Sequence, residues 1–328
     1  MFRQKIFVVG GAGFIGSHTA KLLHSQGFEP VVYDNLSTGH RTSVRWGPFV
    51  EGDILDTPRL AKAIEDCRPE AIIHFAASAY VGESVENPAK YYANNVSGTL
   101  SVLEACRRSE AKRLIFSSSC AIYGIPAHLP IRECEAPQPI NPYGRTKLIA
   151  EHMLADYSAA YGLTYVALRY FNASGADPER ELGEWHDPET HLIPRALLAT
   201  GGRIETLDVY GDDYDTPDGT CVRDYIHVTD LARAHVLAVE YLLAGGGNLA
   251  VNLGTGRGTS IKEIVSAIER VCGREVPITM RMRRPGDPPA LYAASDLAAE
   301  KLGFQAMYSD IETIIRTAAP FFGLEVRQ

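Results

Sequence analysis

Lys5-Ile6-Phe7-Val8-Val9-Gly10-Gly11-Ala12-Gly13-Phe14-Ile15-Gly16 is a short apolar run that ends in a cluster of glycines. The following Ser17 to Ser25 reads as a helix, so the order is strand, glycine turn, helix. Glycines allow a tight turn and let the backbone approach a pyrophosphate at the helix N-terminus, where free amides and the helix dipole favour negative charge. The spacing satisfies both G-x-G-x-x-G and G-x-x-G-x-x-G, so the glycines alone leave the subtype open. A second strand, Pro30 to Tyr33, ends at Asp34. A carboxylate there accepts hydrogen bonds from adenosine ribose hydroxyls and favours NAD over NADP.

The alternation continues. Phe49 to Glu51 is extended, residues 57–66 are helical, and Ala71 to Phe75 is a buried strand. A long helix is expected over 88–108, then strands over Lys112 to Ser118 and Thr164 to Tyr170. Repeated β-α units with near-continuous apolar strands predict an α/β fold, a doubly wound parallel Rossmann sheet covered on both faces. Ligands of such a sheet gather at the carboxyl ends of the strands. Ser117-Ser118-Ser119, Phe75-Ala76-Ala77 and Phe171-Asn172 lie at such ends.

Between the last two strands stands Tyr143-Gly144-Arg145-Thr146-Lys147, with Asn141 and Pro142 before it. Asn suits the N-cap and Pro the first turn, so a helix is expected from about 142 to 161. Residues four apart share a helical face, which pairs the phenol with the ammonium. Lowering a tyrosine pKa from about 10 towards 7 takes roughly 4 kcal/mol of preferential phenolate stabilisation, part of which a nearby cation supplies. Alone, Tyr-x-x-x-Lys equally describes a packing tyrosine and a solvated lysine.

Beyond residue 173 the pattern loosens, and Gly183 to His191 reads as a loop. His227 to Leu243 is expected to be helical, and Leu249 to Leu253 a strand that rejoins the main sheet. The expected division is residues 1–172 plus about 227–257 as the dinucleotide-binding domain, with 173–226 and 258–328 as a smaller, discontinuous substrate domain.

A chain of 328 residues accommodates such a main domain with a companion. Hydrophobic residues at 45%, charged residues at 22% and a net charge of -8 leave no basic footprint for nucleic acid or an anionic membrane. The six cysteines, at 67, 106, 120, 134, 221 and 272, are scattered with no Cys-x-x-Cys. Neither a disulfide framework nor a metal site is expected from them; reduced thiols in a cytoplasmic protein are. No apolar run approaches a membrane span, and the first residues lack a signal-peptide profile.

With its glycine turn, Ser119 at a strand end and Tyr143 with Lys147 on the next helix, the chain resembles the extended short-chain dehydrogenase/reductase family over nearly its whole length. More narrowly it resembles the UDP-glucose 4-epimerases. That likeness runs through Gly10 to His18, Asp34-Asn35-Leu36, Gly52-Asp53-Ile54, Val81 to Ser84, Tyr91 to Asn95, Arg169 to Asn172, Asp218 to His227 and Arg284 to Asp287. The resemblance implies hydride removal from C4 of the sugar to a tightly held NAD, turnover of the 4-keto sugar, and hydride return to its other face. Tyr143, Lys147 and Ser119 would then be catalytic. Gly10, Gly13, Phe14, Ile15, Gly16, Asp34, Asn35, Asp53, Ile54, Phe75, Ala76, Ala77, Asn94 and Phe171 would hold the cofactor together with Tyr143 and Lys147. Asn172, His191, Leu192, Val209, Tyr210, Arg223, Arg284 and Asp287 would join Ser119 and Tyr143 around the UDP-sugar. The guanidinium groups would face the diphosphate, whereas Arg281 and Arg283 are expected to be solvated. A homodimer through the helices near 88–108 and 142–161 is likewise implied by resemblance.

Three positions depart from the family pattern. Ala79 replaces a lysine that contacts the cofactor, His191 stands where some members carry asparagine, and Leu291 stands where many carry tyrosine and others a small residue that admits an N-acetyl group. A bulky Leu291 predicts preference for UDP-glucose and UDP-galactose over their N-acetylated forms. Three other readings use the same fold. A nucleotide-sugar 4,6-dehydratase needs an Asp-Glu pair after the strand-end Ser, where this chain has Cys120-Ala121. A UDP-xylose/UDP-arabinose 4-epimerase needs no change in the catalytic set. A non-catalytic NAD-sensing protein needs none of the catalytic groups, since fold does not fix function.

Overall fold

In a computed structural model, which describes residues 3–284 and 287–327, the chain builds a seven-stranded sheet in which every pairing is parallel. Its strands are β1 (Lys5–Val9), β2 (Glu29–Asp34), β3 (Phe49–Glu51), β4 (Ala71–His74), β5 (Arg113–Ser117), β6 (Thr164–Tyr170) and β7 (Leu249–Leu253). The spatial order is β7-β6-β5-β4-β1-β2-β3, so the chain reverses direction across the sheet between β1 and β4. A crevice opens at such a switch point, outside the carboxyl ends of the strands.

Successive side chains of a strand point to opposite faces, and both faces here are covered. Ile6, Val8, Val32, Ile73, Ile115 and Leu168 pack into one apolar layer. Phe7, Val9, Val31, Tyr33, Ile72, Leu114 and Phe116 pack into the other. This double burial is why the strands read as unbroken apolar runs rather than alternating ones.

Helix α1 (Phe14–Ser25) lies on the first layer. Helices α2 (Thr57–Cys67), α3 (Gly98–Arg108) and α4 (Pro142–Tyr161) supply Leu60, Ile64, Val102, Leu103, Ala150 and Leu154 to the second. A separate apolar cluster joins α5 (Leu192–Thr200), through Ile193 and Leu197, to Ile264, Ile268, Ile314 and Ile315 further along the chain. Helix α6 (Val228–Leu243) returns to the first layer and leads back into β7.

Three expectations are revised. Helix α1 begins at Phe14, directly after the glycine turn, rather than at Ser17. The span 88–108 is not one α-helix: a short helix Pro88–Tyr91 passes through a π-helical stretch, Tyr92–Ser97, into α3. Residues assigned to the smaller unit, Ala298, Leu302 and Phe304, pack instead into the first layer of the main core. The apolar faces of short segments do not say which of two cores will receive them.

No helix among the described residues is long and apolar enough to cross a membrane. The six cysteines are free thiols.

Candidate active site

The glycine turn closes because three positions tolerate no side chain. Gly10 has φ +80, and a Cβ there would lie 2.5 Å from the Ala76 amide nitrogen; one on Gly16 would lie 2.4 Å from the Gly10 carbonyl oxygen. On Gly11 it would meet both methyls of Val32 at 2.9 Å. Gly13 is different, since a Cβ there approaches nothing nearer than the Gly10 oxygen at 3.5 Å. Its side is open, and it N-caps α1 without any side-chain hydrogen bond, so the first amides of the helix face that opening. Uncapped amides at a helix start attract anions.

Asp34 is buried at the end of β2. Its Oδ2 accepts from the Ala12 amide at 2.9 Å and its Oδ1 from the Leu36 amide at 2.8 Å, leaving further lone pairs on each oxygen. Burial raises its pKa, and the two backbone bonds oppose the rise. Asn35 donates to Asp53 Oδ2 at 2.9 Å, which fixes both side chains at the rim. Glycine cradle, uncapped helix and twin-lipped carboxylate form a donor and acceptor set that fits a dinucleotide. Ile54 is buried against the Gly98 position, so only its backbone remains available to a ligand. Phe75 packs against His235 with the rings tilted by 43° and their centres 4.5 Å apart, and Ala76 and Ala77 are half-buried beside it.

The catalytic candidates meet across the ends of β5 and β6. Asn141 caps α4 by accepting from the Gly144 amide at 2.8 Å, with Pro142 in the first turn, which fixes the helix start as the sequence predicts. Tyr143 is half-buried and Lys147 buried one turn later. Lys147 Nζ donates to the Ser117 carbonyl at 2.7 Å and lies 5.9 Å from the centre of the Tyr143 ring. Burial raises the Tyr143 pKa, and a hydrogen bond with the Ser119 hydroxyl opposes the rise. Burial lowers Lys147 to about 7, with the Glu151 carboxylate pulling the other way. Burial thus disfavours the charged form of each group in the cofactor-free site.

Sequence reasoning missed what holds this pair. Glu151 Oε1 accepts from Ser118 Oγ at 2.5 Å and from Arg169 Nε at 3.0 Å, and Arg169 reaches the Tyr123 hydroxyl at 2.8 Å. Tyr123 in turn donates to Asn252 Oδ1 on β7 at 2.8 Å. Asn95, in the π-helical stretch, pins the Ser78 amide (2.8 Å) and carbonyl (2.9 Å) and donates to Thr146 Oγ1 at 3.1 Å. A charged Arg169 inside an apolar strand was the available signal. Asn94, its assigned neighbour, is half-buried and donates to Asn95.

At the far side of the cleft, Arg223 Nη2 lies 3.7 Å from Asp287 Oδ1, and Arg284 stacks on Tyr210 with its guanidinium 3.8 Å from the ring centre. Pro285 and Gly286 between them lie outside the described residues. Arg281 and Arg283 are exposed as expected, yet each is paired, with Asp208 at 2.8 Å and Asp213 at 2.5 Å. The Val209 side chain is buried in the second apolar cluster and can offer a ligand only its backbone. Asn172 is exposed and donates to the Asp224 carbonyl at 2.9 Å, and Phe171 and Leu291 pack around Cys120 and Ile122. His191 N-caps α5 just before the half-buried Leu192. Rather than standing free, its Nδ1 meets Glu189 Oε1 at 2.9 Å and Glu184 Oε1 at 3.1 Å. Burial disfavours the imidazolium, but the two carboxylates outweigh it and hold His191 up to about 10.

Residues 6–254 match the NAD dependent epimerase/dehydratase family. The UDP-glucose 4-epimerase of Rhizobium leguminosarum bv. trifolii is 54% identical over 97% of this chain and 97% of its own. The crystal structure of UDP-glucose 4-epimerase from Brucella ovis in complex with NAD superposes with a TM-score of 0.98 at 74% identity, covering 99% of this chain and 100% of that one. The UDP-glucose 4-epimerase from Stenotrophomonas maltophila, with bound NAD and formylated UDP-arabinopyranose, superposes at 0.95 with 38% identity over 98% of both chains. Identity of this extent over nearly the whole length places it: the chain belongs to the NAD dependent epimerase/dehydratase family.

Proposed function

We propose that the chain is a NAD-dependent 4-epimerase of UDP-sugars that interconverts UDP-galactose and UDP-glucose. The observation that carries the reading is the convergence of Ser119, Tyr143 and Lys147 at the strand ends, beside a glycine turn open at Gly13. When bound, NAD supplies the hydride acceptor and donor and, in its oxidised form, a positive charge. Ser119 Oγ and Tyr143 Oη hold the 4-hydroxyl of the sugar, and Tyr143 Oη takes its proton as hydride leaves. The Lys147 ammonium, anchored on the Ser117 carbonyl, stabilises the phenolate. The same phenol returns the proton once the 4-keto sugar has presented its other face.

The first amides of α1 would hold the phosphates of the cofactor, and Asp34 would hold its adenosine ribose. Arg223 and Arg284 receive the diphosphate of the substrate, Asp287 its ribose, and Tyr210 and Leu192 the uracil side. Residues 173–226 and most of 258–328 form this nucleotide-sugar half. In the cytoplasm the protein acts as a homodimer through the helices near 88–108 and 142–161.

The test is Tyr143→Phe. It removes one oxygen, keeps the ring, and should retain NAD while turnover of UDP-galactose, followed by NMR, falls by about a hundredfold or more. Undiminished turnover would remove the phenol from the mechanism. UDP-xylose is the informative second substrate, because the Stenotrophomonas protein is crystallised with an arabinopyranose derivative. Turnover of pentose without hexose would reassign the substrate.

A further inference from the structure

The loop 183–191 contains Glu184-Trp185-His186-Asp187-Pro188-Glu189-Thr190-His191 and carries no regular secondary structure. It lies over the start of α1: His186 packs edge-on against Phe14 at 6.3 Å and against Tyr80 at 6.1 Å. Its four chemistry-bearing side chains turn towards one another, with a donor atom from each within 4.8 Å of all the others.

The separations are ordered. His191 Nδ1 lies 2.9 Å from Glu189 Oε1 and 3.1 Å from Glu184 Oε1. His186 Nδ1 lies 3.3 Å from Glu184 Oε1 and 3.4 Å from Glu189 Oε2. A tetrahedral ion with ligands at about 2.0–2.1 Å places its donors about 3.3 Å apart, and the two Glu184 Oε1 contacts and the His191–Glu189 Oε1 contact lie near that length, while His186 meets the other oxygen of Glu189. The widest pair must close, which an ion between the carboxylates and imidazoles would do.

Two further observations separate this cluster from an ordinary acidic patch. His186 Nδ1 is buried and makes no hydrogen bond. In addition, among the described residues Glu184 and Glu189 form ion pairs with histidines alone, and Arg195 reaches only the Glu189 carbonyl. The other carboxylate group nearby, Asp177, Glu179 and Glu181, already holds the Lys21 ammonium at 2.7, 2.6 and 2.8 Å. An ion that displaces the imidazole protons meets two carboxylates and two neutral imidazoles, whose charge one divalent ion neutralises, and this nitrogen and oxygen set suits a zinc-type ion.

We propose that Glu184, His186, Glu189 and His191 form a binding site for a zinc-type divalent ion that pins the loop 183–191 over the N-terminus of α1. The reading concerns the loop and stands whichever sugar the protein processes. Sequence reasoning looked for metal ligands among the cysteines and so passed over the Glu-x-His-x-x-Glu-x-His spacing.

The experiment is a titration of the chelator-dialysed holoprotein with Co²⁺, read by visible absorption, followed by displacement with Zn²⁺. The expected result is saturation at one ion per chain with the strong visible band of four-coordinate cobalt, bleached by Zn²⁺. Affinity should fall at least about tenfold in His186→Ala and in Glu184→Gln, each confirmed as folded by circular dichroism. Absence of saturable uptake by the unaltered protein, or equal uptake by both variants, overturns the site and leaves the four side chains as a proton-filled ion-pair cluster.

Discussion

Replacing Gly10 or Gly13 by alanine separates what the glycine turn does for the fold from what it does for the ligand. At Gly10 the left-handed φ of +80 costs an L-residue about 1–2 kcal/mol. The new methyl would also sit 2.5 Å from the Ala76 nitrogen and 2.8 Å from its Cα, both backbone atoms that cannot rotate away. Forced overpacking adds about 1–3 kcal/mol, so a total loss near 2–5 kcal/mol is expected. Gly13 instead has φ -78 and ψ 177, ordinary extended backbone, and the space where its Cβ would stand is open. Alanine there should leave the cofactor-free protein unchanged or stabilise it by about 0.4–1 kcal/mol through the unfolded chain. It should nevertheless weaken NAD, because the methyl occupies the side from which a pyrophosphate approaches. The assay is urea unfolding of both variants stripped of NAD, together with NAD titration by calorimetry. Gly10→Ala should lose stability in the stripped state and Gly13→Ala should lose affinity alone. Equal stability losses in the two variants would refute the assignment of close packing to one glycine and ligand access to the other.

Three other outcomes can be checked. Glu151→Gln leaves the Arg169 guanidinium buried without its anion and should cost about 3–5 kcal/mol in denaturant unfolding, much of it regained in Glu151→Gln/Arg169→Met; a loss below about 1 kcal/mol would show that the pair is not insulated from water. The Lys147 pKa is lowered in the fold to about 7 against 10.5 for the free group, so between those values the unfolded chain binds more protons and stability rises with pH. Relative to Lys147→Met, the cofactor-free protein should gain about 1.4 kcal/mol per pH unit across that window, and parallel pH profiles would count against a buried neutral lysine. Leu291 packs against the buried cluster of Cys120, Ile122, Tyr123 and Ile131, which begins one residue after Ser119. Leu291→Ala should therefore raise kcat/KM for UDP-N-acetylglucosamine relative to UDP-glucose by about tenfold or more, and an unchanged ratio would move the acetyl-group barrier elsewhere.

Much of this was legible before any coordinates, for identifiable reasons. The signals that read correctly are local: Asn141-Pro142 starts a helix because a side-chain oxygen can reach the Gly144 amide within one turn, and Leu249–Leu253 reads as a strand because both of its faces are apolar-tolerant. What misread was decided by partners distant in sequence. The π-helical stretch Tyr92–Ser97 arises where Asn95 must reach Ser78 and Thr146 at once. Arg281 and Arg283 are exposed as read, but their partners Asp208 and Asp213 come alongside only through chain distant in sequence.

The sequence by itself determined the doubly wound sheet, the glycine turn, the acid at the end of β2 and the phenol-ammonium pair, since each is set by residues within a turn or a strand of one another. Only the tertiary structure decided the charge state and company of those groups. Lys147 is titrated by the burial that β5 and α4 create together, Glu151 finds Arg169 across two elements, and His186 and His191 share two carboxylates because a loop folds back on itself. Desolvation and Coulomb energy depend on distance and exposure in three dimensions, and neither is a property of position along the chain.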